Sequence, residues 1–430
     1  MLPALPTDRE ALAAQQGTRL ATLLRTIHGH NRFYTRKLAD AGVDVRALTF
    51  PRDMALLPFT RKAELVVDQD ANPPWGTAHT ESLDRYTRYC QTSSTTGRPL
   101  KWLDTNESWQ WMVECWKGVY RAAHVGRGDR VFFPFSFGPF LGFWVGFEAG
   151  CQLGLLCVPG GGMSSQLRLS MIDAVHATVI CCTPTYALRL AEVAAEERRR
   201  RPLAENSVRV IIVAGEPGGS IPATRRHIEE RWGARVIDHH GLTEVGPLSF
   251  ECWEAPGFLH VNEAEFICEI LEPGGTAAVE DGQPGELVVT NLGRTASPVV
   301  RYRTGDIVVR TEERCACGLP WARLEGGILA RADDMINIRG VNVYPTSIES
   351  VVRQFAEIVE FRSIVSRVHE MRSLTVEVEL MPHAGDEAIV LARVAQTLKE
   401  ALGLSVHVRA VGGGALPRFE MKARRFLVEG

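Results

Sequence analysis

The sequence carries almost no net charge: 48 Lys and Arg stand against 51 Asp and Glu, a formal −3 at pH 7. General nucleic-acid binders carry a basic excess, so no nucleic-acid partner is expected. The one basic run, Arg198, Arg199, Arg200 and Arg201, follows a helix-like stretch at 186–197 and reads as a solvated helix end. No uncharged apolar run approaches the ~18 residues that span a bilayer, so no membrane segment is expected. The longest candidate, 131–156, is interrupted by Pro134, Pro139 and Glu148. Residues 1–10 lack a basic start followed by an apolar stretch, so no export signal is expected. No internal repeat or low-complexity tract stands out. The chain has ten cysteines, but Cys157, Cys181, Cys182 and Cys268 sit in apolar runs, where cysteine behaves as a small buried hydrophobe. Reduced thiols and a cytoplasmic location are the expectation.

What is present is ordinary for a large globular protein: 45% hydrophobic and 23% charged residues over 430 positions, enough for two or three domains. After a helical start (apolar spacing over 12–41) and an irregular connection, short apolar runs alternate with helical ones from about residue 89. Strands are predicted at 129–133, 155–158, 177–182, 208–214 and 235–238. Helices are predicted at 165–175, from 184 onward, and at 221–232. Such alternation predicts an α/β fold with a helix-covered, mostly parallel sheet, which binds ligands at the carboxyl ends of its strands. Residues 265–310 change to strands separated by Pro/Gly turns, a β-rich subdomain. After a boundary near 330–334, a compact α+β unit follows, with helices at 346–355 and 387–402. The domains are therefore expected at 1–330 and 331–430.

Five segments carry candidate chemistry. Residues 92–99 form a hydroxyl-rich loop leading into Gly97, whose backbone N–H groups and hydroxyls can wrap an oligophosphate. Arg98 and Lys101 add positive charge, and the Gly-Lys-Ser/Thr ending of the ordinary P-loop is absent. Asp238-His-His-Gly-Leu-Thr-Glu follows a predicted strand and can present Thr243 and Glu244 to a ligand, with Glu244 a Mg²⁺ ligand beside phosphate. Arg301-Tyr-Arg-Thr-Gly-Asp ends in Asp306, which can accept two ribose hydroxyls. The remaining two are 331–345 at the boundary and 417–425 near the end, which contains Lys422. Taken singly, each is equally a capped helix, a β-turn or a charged tail.

In this order they resemble the adenylate-forming superfamily, and within it the phenylacetate–coenzyme A ligase group, over 31–422. The Ser-Ser-Gly-Thr-Thr-Gly-x-Pro loop is matched by Ser93 to Pro99, with Ser94 in place of glycine. Gly215-Glu216-Pro217 matches a second element. Tyr-Gly-x-Thr/Ser-Glu is matched by His240 to Glu244, with histidine replacing the aromatic. Tyr302 to Asp306 matches in full, as do 330–336 and 339–343 apart from Ala330 in place of glycine.

The resemblance implies a large N-terminal domain for ATP and acid, and a small mobile C-terminal domain carrying a catalytic lysine. It implies that Ser93, Ser94, Thr95, Thr96 and Gly97 hold the triphosphate and that Glu244, beside Thr243, binds Mg²⁺. Gly215, Glu216 and Pro217, with Asp238, His239, His240 and Gly241, would border adenine. Asp306 would bind ribose with Arg331 nearby, Asp333 would mark the hinge, and Lys422 would contact the α-phosphate and the acid's carboxylate. Related ligases place an aryl group near 135–146. Phe135, Phe137, Gly138, Phe140 and Trp144, with Gly241, are thus the acid-pocket candidates, although two or three of the aromatics are expected to be core. Gly218 and Gly219, with His239 and His240, hint at a polar-substituted benzoate. Cys252, His260, Cys315 and Cys317 offer a Cys₃His set of the kind tetrahedral structural zinc takes, and similar placements recur in this ligase group; unrelated thiols are the other reading. The implied activity is ATP-dependent formation of an acyl-adenylate from a small aromatic acid, then transfer to coenzyme A. A carrier-protein thiol, an adenylylating ligase without a thioester and an inactive nucleotide-binding relative remain open, as does a homodimer.

Overall fold

The computed structural model describes residues 8–92, 98–197, 202–339, 341–368, 371–382, 384–419 and 423–429. The loop of Ser93, Ser94, Thr95, Thr96 and Gly97, the Arg198–Arg201 run and Lys422 lie outside them.

The apolar spacing over 12–41 resolves into two helices, α1 (Arg9–Ile27) and α2 (Arg32–Asp40). The break falls where the Asn31 side chain accepts the Tyr34 N–H, an N-cap that restarts the helix. Next come α3 (Lys62–Ala71) and an antiparallel hairpin, β1 (Tyr86–Gln91) and β2 (Lys101–Thr105), then α4 (Asn106–Ala122). The predicted alternation follows: β3 (Arg130–Phe133), α5 (Trp144–Gln152), β4 (Leu156–Pro159), α6 (Ser165–Ala174), β5 (Val179–Cys182), α7 (Pro184–Glu196), β6 (Val210–Ala214), α8 (Pro222–Trp232) and β7 (Arg235–Leu242). The order β4-β3-β5-β6-β7 is parallel throughout.

The β-rich stretch is not a separate sheet. Strands β8 (Gly246–Glu251), β9 (Phe258–Val261), β10 (Phe266–Leu271), β11 (Pro284–Asn291), β12 (Tyr302–Thr311) and β13 (Arg323–Arg331) continue antiparallel from β7, in the order β8-β9-β13-β12-β11-β10. Eleven strands thus share one sheet.

Side chains alternate across its parallel half, as the two-residue strand period requires. Phe132, Ile180, Ile211, Val213 and Val236 pack on one face with residues of α6, α7 and α8, including buried Trp232. Val131, Phe133, Val179, Ile212 and Ile237 pack on the other with α4 and α5, including Trp116. Burial on both faces explains why these strands read as continuous apolar runs.

The remainder forms a hairpin, β14 (Ile336–Ile338) and β15 (Val341–Val343), then α9 (Pro345–Val352), β16 (Ile358–Val368), β17 (Met371–Leu380), α10 (Glu387–Leu402), β18 (His407–Val411) and β19 (Phe426–Val428). Its four-stranded sheet has the order β18-β17-β16-β19 and a core of its own. Among the described residues, no helix is long and apolar enough to cross a membrane.

One buried ion pair ties the hairpin to the large sheet. Arg294 and Asp104 are fully buried and meet in a two-point bond, at 2.7 Å through Nε and 2.5 Å through Nη2. Arg294 also donates to the Thr243 carbonyl at 2.6 Å. Arg294→Ala strands a buried carboxylate and should cost about 3–5 kcal/mol. Thermal denaturation should show a lowered midpoint, partly restored when Asp104→Asn is added.

Candidate active site

The loops that leave β3, β6 and β7 share the carboxyl edge of the parallel sheet, where β6 and β7 are neighbours and β5 stands between β6 and β3. The β3 loop supplies aromatics. Phe135 contacts Phe137 and Phe143 edge-on at 5.6 and 5.5 Å, and Phe137 contacts Phe147 and Trp144 at 5.3 and 5.2 Å. Phe135 and Phe137 are half-buried and packed on the core. Trp144 is the outer member, 40% exposed, with its indole N–H on the Gly138 carbonyl. Phe140 is half-buried, and its ring would lie 3.5 Å from a Cβ on Gly138.

The end of β7 divides its two histidines between the sheet's faces. His239 is buried, its ring tilted against Trp116 at 4.5 Å, and its Nδ1 donates to the Ser249 carbonyl at 2.8 Å. Burial lowers its pKa to about 3, against the Ser249 bond, so the ring is neutral. His240 faces the other way, with Nε2 3.2 Å from Asp306 Oδ2 and Nδ1 3.3 Å from Ser249 Oγ. Asp238, two residues before His240 on β7, accepts from Ser220 Oγ at 2.6 Å, and burial raises its pKa.

Asp306 lies opposite Arg331 in the β12–β13 register and accepts from its Nη1 at 2.9 Å. Burial alone would raise the Asp306 pKa, but the His240 bond and the Arg331 charge outweigh it and hold the carboxyl below its ordinary value. Arg331 also clasps Asp333 at 2.9 and 3.0 Å, joining the end of the large sheet to the connection beyond it. Glu244 stands in the turn after β7 beside Thr243 and is 4% exposed. Its Oε1 accepts from the Tyr302 hydroxyl at 3.2 Å and lies 3.4 Å from Lys62 Nζ.

The hydroxyl-rich loop itself lies outside the described residues, but its ends are fixed. The Thr92 N–H donates to the Leu100 carbonyl and the Leu100 N–H to Thr92 Oγ1, both at 3.0 Å. The two cations expected to serve that loop are engaged elsewhere: Arg98 pairs with Asp70 at 2.6 Å, and Lys101 donates to the Pro74 carbonyl at 3.1 Å. Lys62, which pairs with Glu244, lies in no motif, and the 301–306 motif gave no sign that the Tyr302 hydroxyl meets Glu244.

The loop after β6 departs from its sequence reading. A Cβ on Gly218 would lie 2.6 Å from Pro184, and one on Gly219 would lie 2.5 Å from Asp238 and Val213. These glycines satisfy close packing against α7 and β7, and they open no room for a substituted acid. Glu216 reaches back instead, accepting the Thr185 N–H at 3.0 Å and the Ala423 N–H at 2.9 Å.

Cys252, His260, Cys315 and Cys317 come together at the far end of β8 and β9. Each offers one donor atom, and the four lie within 4.8 Å of one another. Sulfur–sulfur approach is 3.5 Å for Cys252–Cys315, and Cys317 Sγ lies 3.3 Å from His260 Nε2. Burial pushes the Cys252 thiol up to about 12.

Comparison with known proteins gives consistent matches. Residues 49–295 match the AMP-binding enzyme family, and 340–429 match the AMP-binding enzyme C-terminal domain. A phenylacetate-coenzyme A ligase of Thermus thermophilus is 33% identical over 450 residues, covering 99% of this chain and 98% of its own. A 2-hydroxyisobutyryl-CoA ligase in the postadenylation state, in complex with 2-HIB-AMP, superposes with a TM-score of 0.91 at 27% identity, covering 98% of this chain and 89% of that one. That ligase in the thioesterification state, with 2-HIB-AMP and CoA, superposes at 0.73 and 27% identity, covering 97% and 89%.

The depressed His239 pKa has a consequence for stability. A neutral ring contributes fully above its unfolded value of 6.5, and the contribution is lost as pH falls toward 3. By pH 5 the loss should be about 2 kcal/mol. Buried Glu251, raised to about 7, works in the opposite sense between pH 4.5 and 7, so the wild type alone does not isolate the effect. Urea denaturation from pH 7.5 to 5 should show a shallower loss in His239→Phe than in the wild type by about this amount; equal slopes would remove His239 as the cause.

Proposed function

This chain belongs to the AMP-binding enzyme family, and we propose that it joins a small aromatic carboxylic acid to coenzyme A in two steps through an acyl-adenylate. In the first, the acid's carboxylate oxygen attacks the α-phosphorus of ATP and pyrophosphate leaves. In the second, the coenzyme A thiol attacks the acyl carbon, forming the thioester and releasing AMP. The observation that carries this reading is the convergence at one sheet edge of an aromatic loop, a buried carboxylate at Glu244 and a buried anion at Asp306.

Each group has a task that suits its surroundings. Asp306, kept anionic, accepts the ribose hydroxyls. His240 stands beside it with an imidazole face for the adenine. Glu244 has its Oε1 engaged by Tyr302 and Lys62, and its Oε2 has no hydrogen-bond partner among the described residues. A single carboxylate with one free oxygen fits Mg²⁺, which takes few protein ligands and keeps phosphate oxygens and water. When bound there, Mg²⁺ would neutralise phosphate charge. The loop of residues 93–97 wraps the phosphates. Lys422 neutralises the two anions that must meet, the acid's carboxylate and the α-phosphate. Phe135, Phe137, Phe140 and Trp144 wall the acid on one side and exclude water from the reactive mixed anhydride. Because Lys422 belongs to the small domain, closure assembles the site, with Asp333 at the hinge. The reducing compartment that keeps coenzyme A as a thiol also suits ten free cysteines.

The Cys₃His group fits structural zinc by donor type and spacing. Four Zn bonds of about 2.0–2.3 Å put tetrahedral ligands about 3.4–3.8 Å apart. A dication there would also reverse the burial that keeps Cys252 protonated. It would brace the loop between β12 and β13 against β8 and β9, away from the chemistry. Metal analysis should find about one zinc per chain. Cys315→Ser should lose it and unfold at lower temperature; a metal-free wild type of unchanged stability would overturn the assignment.

Pyrophosphate release should require ATP, Mg²⁺ and one or a few aryl acids from a panel, and added coenzyme A should be converted to its thioester. Acid-dependent release without a thioester would point to a carrier-protein thiol or another acceptor. Release with no acid in the panel would count against the reading. Lys422→Ala should lower release by about 10²-fold or more while ATP still binds.

A further inference from the structure

We propose that Thr185 and Glu216 form a latch that holds the tail of the small domain against the large one for adenylation only. The latch has two bonds across the domains and one within the large domain. Glu216 accepts the Ala423 N–H at 2.9 Å through Oε2, and the Thr185 N–H at 3.0 Å through Oε1. Thr185 Oγ1 in turn accepts from Arg425 Nη1 at 3.2 Å. Thr185 thus binds both halves of the latch, one through its backbone and one through its side chain.

Each component is held ready on its own side. Thr185 lies in the first turn of α7, where helix N–H groups have no partner within the helix and favour an anion. That keeps Glu216 aimed outward from the loop after β6. On the small domain, Glu360 grips Arg425 through Nε and Nη2 at 2.6 and 3.0 Å, and Glu349 lies 3.5 Å from its Nη1, so the Nη1 that reaches Thr185 is held in a fixed direction. Docking therefore orders few new groups. It uses one charge-assisted bond and one hydroxyl contact, bonds strong enough to bias an equilibrium and weak enough to break each turnover.

The latched residues 423 and 425 follow Lys422 directly in sequence. Latching therefore fixes where the chain leaves that lysine, whose role is the one proposed above. The arrangement that contains the latch is the one that superposes well on the relative's postadenylation state and less well on its thioesterification state. Thr185 and Glu216 are positioning residues on this account: neither touches the reacting atoms.

The test separates the half-reactions. Thr185→Val removes the hydroxyl and keeps the N–H; Glu216→Gln removes the charge. Each should slow acid-dependent pyrophosphate release by about tenfold. Coenzyme A-dependent consumption of supplied acyl-adenylate should fall far less, and Thr185→Ser should restore release. Equal losses in both half-reactions, or none in either, would overturn the latch. Small-angle scattering gives a second readout that needs no active acid. The Thr185→Val/Glu216→Gln double variant should have a larger radius of gyration than the wild type in the presence of AMP, and an unchanged radius would also overturn the latch. A wild type that releases no pyrophosphate while the double variant still expands would condemn the proposed activity and leave the latch standing.

Discussion

Strand β7 is bonded in parallel to β6 on one edge and antiparallel to β8 on the other. A parallel neighbour is reached only through a crossover, whereas an antiparallel one needs only a turn. The chain therefore reverses at 243–245, and that reversal leaves Thr243 and Glu244 at the carboxyl edge of the sheet, where parallel sheets keep their ligands. The rest of the site is registered to the same strand. Glu216 follows β6, while Asp306 and Arg331 reach the site through β8, β9, β13 and β12. A slip of one residue in β7 would exchange His239 and His240 between faces and empty both positions.

Buried charge is arranged so that equal burial has unequal effects. Asp104, Glu244, Glu251 and Asp306 are all nearly inaccessible to solvent, and a carboxylate in that setting must be paired or neutral. Glu251 has Arg225 and the Asp238 N–H, yet burial wins and its pKa rises to about 7. Asp306 faces His240 and Arg331 together, and the two overcome burial. The position that remains an acceptor is thus the one facing the proposed nucleotide, and the position that neutralises more readily lies behind the strand, in the packing.

The parallel strands were legible in the sequence because each is a short apolar run between turn residues, and burial on both faces demands such a run. The Cys/His set was legible by donor type, although only the fold of β8, β9 and the β12–β13 loop brings Cys252 within 3.5 Å of Cys315. Four features were not legible, for physical reasons. The continuity of the sheet rests on pairings between segments far apart in sequence, such as His260 with Arg323. Phe135 and Phe137 could not be sorted into pocket or core, because an aromatic wall is both: Phe137 contacts Phe133 and Phe147 on the inner side. Nor did the sequence mark what Arg98 and Lys101 meet, which is Asp70 and the Pro74 carbonyl. Glu216 was marked as part of a loop, but its partner lies 207 residues further on, beyond any local pattern.

Alternation along β7 also separates two kinds of specificity. His239 lies against Trp116, which contacts Phe143 and so joins the aromatic wall. His240 lies against Asp306 on the opposite face. On the proposed function, the first face belongs to the acid and the second to the nucleotide, although the two residues are adjacent in sequence. A substitution at 239 changes the polarity behind the acid wall without touching the Asp306 pair, and one at 240 does the reverse. Acid preference can then drift while nucleotide binding is retained. The small domain adds a third, independent contact through Glu216, which touches neither histidine. On this reading, acid choice, nucleotide hold and domain closure draw on His239, His240 and Glu216, different side chains carried by two adjacent parallel strands, β6 and β7, and by the loops that leave them.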